Sequence, residues 1–348
     1  MPSGDTAPSR PHATAADLAR PHTGAPADVI PLQYHAQMLT DEHRMTSFRD
    51  AIAAVVRPGM HVLDLGAGTG VLSFFAAQQG AKVTAVEREP GVLAAARSAL
   101  ARNIGAAVTL VHADARDFLP DTPVDVVLCE MMHVGQLRER QVEVISSFKQ
   151  RYLERFGGPL PRFVPEACVQ AVQPIEQDFN FYGYEVPAPL FQSQFAEQPR
   201  TLQLAEPQAF QQYFYSDEIP SLCSADLRFT AAQTGTVNAL RFITKNLLAV
   251  TVTGFGASTI DWLMGYLVVP LTQPMSVSAG ESIDVRFSYP AGAEISELMA
   301  SATASVEQTP SAQSPSWSVA ADAARAAGRT RLSGTSDAHS ADAAQRTA

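Results

Sequence analysis

The run "VLDLGAGTG", residues 62–70, constrains the fold of this 348-residue chain more than any other stretch. A short apolar segment ends in three alternating glycines, and "TGVLSFFAAQQG" has the pattern of a helix. Glycine allows a sharp turn with positive φ and a close ligand approach to the backbone. A strand feeding a helix through such a turn opens a parallel α/β unit. The following residues repeat the theme. "KVTAVE" reads as a strand, "PGVLAAARSALARN" as a helix with Pro90 at its start, and "VTLVHAD" and "VDVVLCE" as strands. "RQVEVISSFKQRYLERF" places Val142, Ile145, Phe148, Tyr152 and Phe156 on one helical face and stops at Gly157 and Gly158. Continuous apolar strands alternating with helices predict an α/β, Rossmann-like doubly wound parallel sheet covered on both faces. A helix over "TDEHRMTSFRDAIAAVV" precedes it, with Thr40 as the expected N-cap.

After Pro161 strand-like segments separated by turn residues take over: "ACVQAVQPIE", "LRFTAAQ", "NALRFIT", "LLAVTVTG", "WLMGYLVVPL" and "SIDVRFSYP". They predict an antiparallel β-barrel or sandwich domain. The expected division is a disordered leader over 1–29, an α/β domain over 30–158, a β domain over 159–293 and a largely disordered tail over 294–348. Residues 179–220, aromatic and Pro-containing, follow no regular pattern. A formal net charge of −10 without any Lys/Arg run argues against wrapping a nucleic-acid backbone, though not against local RNA contact. The three cysteines lie far apart with no CxxC pair, so neither a disulfide framework nor a metal site is expected. A reduced, cytoplasmic setting is the expectation. The first residues lack the apolar core of a signal peptide, and no apolar run reaches membrane-span length.

The glycine turn holds Asp64, Gly66, Gly68 and Gly70 in the spacing GxGxG, whereas a dinucleotide site uses GxGxxG. The carboxylate of Asp64 would repel pyrophosphate but would hold an ammonium group, directly or through water. Glu87 ends the second strand about 20 residues on, where a carboxylate takes ribose hydroxyls. Asp114 and Ala115 follow the third strand, where an adenine amino group is read. Ribose, adenine and an amino-acid head group together describe S-adenosylmethionine. The competing readings are a glycine turn without ligand and a nicotinamide site.

With these residues the chain resembles the class I S-adenosylmethionine-dependent methyltransferases, and more narrowly the protein arginine methyltransferases. "HAQMLTDEHRMTSFRDAI" is similar to that family's H-x-x-M-L-x-D-x-x-R-x-x-x-[YF]-x-x-A-I. The resemblance implies that Arg44 holds the methionine carboxylate in a charge-assisted pair, that Met38 packs near the sulfonium and that His35 lies close by. The stretch "CEMMHVGQLRE" stands where the family has S-E-W-M-G-Y, with a second glutamate nine positions on, here Glu130 and Glu139. The resemblance implies that this pair grips a guanidinium. Arginine stays protonated and is a poor nucleophile, and two carboxylates fix its planar fork by paired hydrogen bonds.

Three departures stand out. Only "APADVIPLQ" occupies the place of the family's aromatic Y-F-x-x-Y segment. Met131 and His133 replace a tryptophan and a glycine. "TIDW" replaces T-H-W, so Asp261 is the candidate for the proton-removing role of that histidine, with His133 as the alternative base. The expected function is methyl transfer to nitrogen, with protein arginine as first acceptor and a protein or peptide as partner. The alternatives are a small molecule, a ribosomal protein or RNA as acceptor, or a non-catalytic cofactor-binding scaffold. The resemblance also implies a homodimer formed through an arm in the β domain, for which 179–220 is the candidate.

Overall fold

The computed structural model describes residues 32–104, 107–254 and 256–307. The expected leader over 1–29 and the expected tail beyond 307 lie outside these residues. The chain enters through α1 (Leu32–Leu39) and α2 (Glu42–Val55). Asp41, not Thr40, caps α2: its carboxylate accepts the Arg44 amide at 3.0 Å. Thr40 instead donates its hydroxyl to the Gln37 carbonyl and closes α1. The "HAQML…R" stretch is therefore two helices rather than one.

Five parallel strands form the α/β layer: β1 (His61–Leu65), β2 (Lys82–Glu87), β3 (Val108–His112), β4 (Val126–Leu128) and β5 (Arg162–Val164). Their order is β3-β2-β1-β4-β5, so the winding reverses between β1 and β4. Ligands of open α/β sheets bind in the crevice at that reversal. Helices α3 (Val71–Gln78), α4 (Pro90–Asn103) and α5 (Gln141–Phe156) make the crossovers. On α5 the expected face is buried through Val142, Ile145, Phe148 and Tyr152. Burial of side chains of this size is worth about 1.5–3 kcal/mol each. Strand β5 lies beyond the expected boundary at residue 158. It is three residues long between Pro161 and Pro165, too short for a periodic signal.

The β part holds two antiparallel sheets. The larger contains β6 (Ala167–Gln177), β9 (Leu190–Gln192), β10 (Thr201–Gln203), β11 (Gln208–Phe214), β13 (Gly235–Thr253), β14 (Gly256–Leu263) and β15 (Tyr266–Val277). The smaller contains β12 (Leu222–Thr230), β16 (Ser282–Pro290) and β17 (Thr303–Glu307). Phe229, Leu240, Phe242, Ile283 and Val285 fill the core between them. The two strands expected over "NALRFIT" and "LLAVTVTG" are one, β13, because no glycine or proline interrupts the ladder at Lys245 and Asn246.

The segment 179–220 is mostly tied into the large sheet through β9, β10 and β11. Only the hairpin of β7 (Asn180–Phe181) and β8 (Tyr184–Glu185) forms its own two-stranded ladder, and it exposes Tyr182 and Tyr184. Order also runs past the expected end at 293. Helix α6 (Ile295–Ser301) buries Leu298 completely, and β17 pairs with β16. The α/β and β parts lie together within one compact unit of the chain.

Candidate active site

A cavity of about 520 Å³ lies past the carboxyl ends of β1, β2 and β4, lined by Asp64, Gly66, Gly68, Glu87, Asp114, Glu130 and Glu139 among others. The glycine turn forms one wall. Gly66 and Gly68 have φ of 75° and 55°, and a Cβ on either would come within 2.9 Å of Met131 Sδ or His35 Nδ1. Their backbone is thus bared to the cavity for both conformational and steric reasons. Gly70 does not line the cavity; it starts α3 in the left-handed region, facing Leu100.

Glu87 accepts the Gly68 and Glu89 amides, one on each carboxylate oxygen, at 2.9 and 2.8 Å. Each oxygen keeps a further lone pair for a ribose hydroxyl. Asp64 is 1% exposed and accepts the Ser73 hydroxyl at 2.6 Å. Burial pushes its carboxyl up to about 7, against the Ser73 bond, which lowers it. A buried acid of this kind gains most from a cationic ammonium group. Asp114 binds Arg116 through both oxygens, at 3.0 and 2.7 Å, and the hydrogen bond holds its carboxyl down at about 2. Asp114 and Ala115 both line the cavity beyond β3.

At the other end Arg44 and Glu130 meet in an ion pair. The residue expected at the cofactor carboxylate and the residue expected at the acceptor therefore touch. Arg44 is 8% exposed, its guanidinium lies 4.9 Å over the Trp262 ring, and its Nε has no partner among the described residues. Glu130 Oε1 is likewise buried and unpartnered among them. Buried polar atoms without partners are costly, and a ligand carboxylate and a ligand cation are the groups that would satisfy these two. Glu139 faces the cavity beside this pair. Burial and then the neighbouring Glu130 charge push its carboxyl up to about 8.

His133 is buried with its ring edge-on to Phe191, centroids 5.7 Å apart. Its Nδ1 lies 3.0 Å from the Val134 carbonyl, which can only accept, so Nδ1 carries the proton and Nε2 offers a lone pair. Burial holds the imidazole below its ordinary value and therefore neutral. Asp261 is not brought to the cavity. It points to the opposite side of β14 from Trp262 and pairs with Lys245 at 2.7 Å. Successive residues of a strand face opposite ways, so Trp262 and Asp261 cannot both point in. Tyr34, Arg138, Phe191 and Met264 also line the cavity, and nothing local in the sequence marks them. Phe191 arrives only because β9 pairs with β15.

A parallel sheet reversing beside a bared glycine turn, with an acid ending β2, fits a class I methyltransferase domain with S-adenosylmethionine as cofactor. A general methyltransferase-domain model matches residues 62–151. Within this class the chain resembles the protein arginine methyltransferases. Protein arginine N-methyltransferase 1 of Dictyostelium discoideum is 31% identical over 165 residues, 44% of this chain and 48% of that protein. The chain thus spans about half of that relative. An uncharacterized protein of Methanothermobacter thermautotrophicus is 27% identical over 268 residues, 77% of this chain and 96% of that protein. The fold is shared with Arabidopsis thaliana protein arginine methyltransferase 10, at a TM-score of 0.62 and 18% identity over 74% of this chain and 87% of that one. It is also shared with the Trypanosoma brucei PRMT1 enzyme–prozyme complex with AdoHcy, at a TM-score of 0.58 and 22% identity over 73% and 86%. No helix among the described residues is long and apolar enough to cross a membrane.

Proposed function

We propose that this chain transfers a methyl group from S-adenosylmethionine to a guanidinium nitrogen of protein arginine. The observation that carries the reading is the pair Glu130 and Glu139, close enough for the charge of one to act on the other and both lining the same cavity as Glu87. When bound, S-adenosylmethionine supplies an electrophilic methyl on a sulfonium sulfur. Glu87 would accept the ribose hydroxyls, Asp64 would hold the ammonium group and Arg44, with its unpartnered Nε, would hold the carboxylate. Met38 lines the same cavity and would pack against the sulfonium end. Glu130 and Glu139 accept the hydrogens of the acceptor guanidinium and aim one nitrogen along the line of displacement. Positioning of this kind supplies most of the acceleration in an in-line transfer between two bound groups. His133 Nε2, neutral and unprotonated, takes the proton that the methylated nitrogen sheds.

The test is labelled methyl transfer into hypomethylated cell extract, followed by separate protease and nuclease digestion and acid hydrolysis. Label in methylarginine supports the reading. Label that survives protease treatment, or that appears in RNA or a small amine, overturns arginine as acceptor. Glu130→Gln and Glu139→Gln are each expected to abolish incorporation while S-adenosylhomocysteine still binds. The hairpin of β7 and β8 is the part of 179–220 proposed to serve dimer formation, which sedimentation measures directly.

A further inference from the structure

The loop between Glu130 and Glu139 bends through three left-handed residues in four positions: Gly135, Gln136 and Arg138, with φ of 72°, 54° and 60°. Two of these are not glycine, and such a backbone persists only when its surroundings over-determine it. The surroundings here come from the β part. Gly135 donates its amide to Thr244 Oγ1 on β13 at 2.8 Å, and Tyr289 on β16 donates its hydroxyl to the Gly135 carbonyl at 2.8 Å. Both polar groups of one residue are thus held by side-chain hydroxyls. Thr244 donates onward to Gln170 Oε1 at 2.7 Å, which fixes the direction of its proton. Gly292 donates to the Gln136 carbonyl at 2.7 Å, and Arg138 donates to the Ala293 carbonyl at 2.8 Å. Thr244 and Tyr289 are each 1% exposed, and neither lines the cavity.

We propose that Thr244 and Tyr289 are positioning residues that hold the Gly135 turn and thereby set Glu139 against Glu130. The inference rests on the methyl-transfer reading of the site. Glu130 is fixed by the end of β4, whereas Glu139 lies between the strained turn and the start of α5 at Gln141, so the turn sets its approach from the N-terminal side. Loss of one hydroxyl lets the turn relax toward ordinary φ values and carries Glu139 away from the acceptor. The proposed cofactor contacts lie on α1, α2 and the turns after β1, β2 and β3, none of which these hydroxyls touch. Acceptor turnover and cofactor binding are therefore separable by a single oxygen atom.

The experiment compares wild type with Thr244→Val, Thr244→Ser and Tyr289→Phe. Initial rates of labelled methyl incorporation into hypomethylated extract are measured beside calorimetric affinity for S-adenosylhomocysteine. A misplacement near 1 Å costs about a hundredfold in rate, so Thr244→Val and Tyr289→Phe are expected to lose at least about tenfold. Their S-adenosylhomocysteine affinity is expected to stay within about twofold, and Thr244→Ser to recover most of the rate. Lower thermal stability with a wild-type rate, or cofactor affinity falling in step with rate, overturns the proposal. If Thr244→Val does not fold, Tyr289→Phe carries the decision. Failure of the arginine reading shows separately, as label in a product other than methylarginine, and leaves the rate comparison intact. No incorporation by the wild type overturns both.

Discussion

At the scale of single residues the site is governed by what happens to Glu139 when charge arrives. Its carboxyl is pushed up to about 8, so near neutral pH the free cavity keeps the proton there. A cation placed against it favours the ionised form and drives the proton off. Ethylguanidinium binding is therefore expected to release a proton at pH 7 and to tighten as pH rises from about 6 to 8, levelling off above. Calorimetry in buffers of different ionisation enthalpy measures that release, and pH-independent affinity would refute it. Asp261 gives the opposite expectation. Its pair with Lys245 is partly exposed, and such pairs are worth about 0–1 kcal/mol. Asp261→Asn is expected to leave methylation within about twofold of wild type and to shift stability by no more than that amount. The residue patterns around Arg44, Glu87 and Glu130 were legible because each sits at an element end whose geometry is local. Phe191 was not, since its place depends on β9 pairing with β15 across more than 70 residues.

At the scale of elements the entry helices and the glycine turn act together. Asp41 caps α2 through the amide of Arg44 itself, so helix start and site residue share one hydrogen bond. Asp41→Ala is expected to cost about 1 kcal/mol in chemical denaturation, the usual worth of such a cap. Weaker S-adenosylhomocysteine binding should accompany it. Gly68→Ala meets two obstacles at once, a positive φ and the ring of His35. It is expected to lower S-adenosylhomocysteine affinity more than stability, as paired calorimetry and thermal melts would show. Four of the five parallel strands could be read from apolar runs. Strand β5 escaped because prolines bracket three residues, and α6 with β17 because their burial comes from Leu298 and the edge of β16 rather than from composition. Thr40 misled as a cap because its hydroxyl had a nearer carbonyl behind it.

At the scale of the whole molecule the α/β part and the β part line one cavity: the first contributes Glu87 and Glu130, the second Trp262 and Phe191. Ending the chain at residue 293 would remove β17 from its ladder with β16 and empty the site of Leu298. A lower Tm is expected, with about 1.5–3 kcal/mol lost from the Leu298 side chain alone. The ion pair of Arg44 with Glu130 has a consequence for both ligands. On the proposed reading, the Arg44 guanidinium would serve the cofactor's carboxylate while it pairs with Glu130, the proposed partner of the acceptor. A ligand that draws Arg44 toward itself leaves Glu130 with uncompensated charge, which the acceptor cation then satisfies. Each ligand must raise the affinity for the other by the same factor, because linkage between two sites is reciprocal. On the proposed reading each end of the cavity is therefore expected to bind more tightly once the other is filled, whichever ligand arrives first. Equal ethylguanidinium affinity with and without S-adenosylhomocysteine would show that the two ends of the cavity do not communicate.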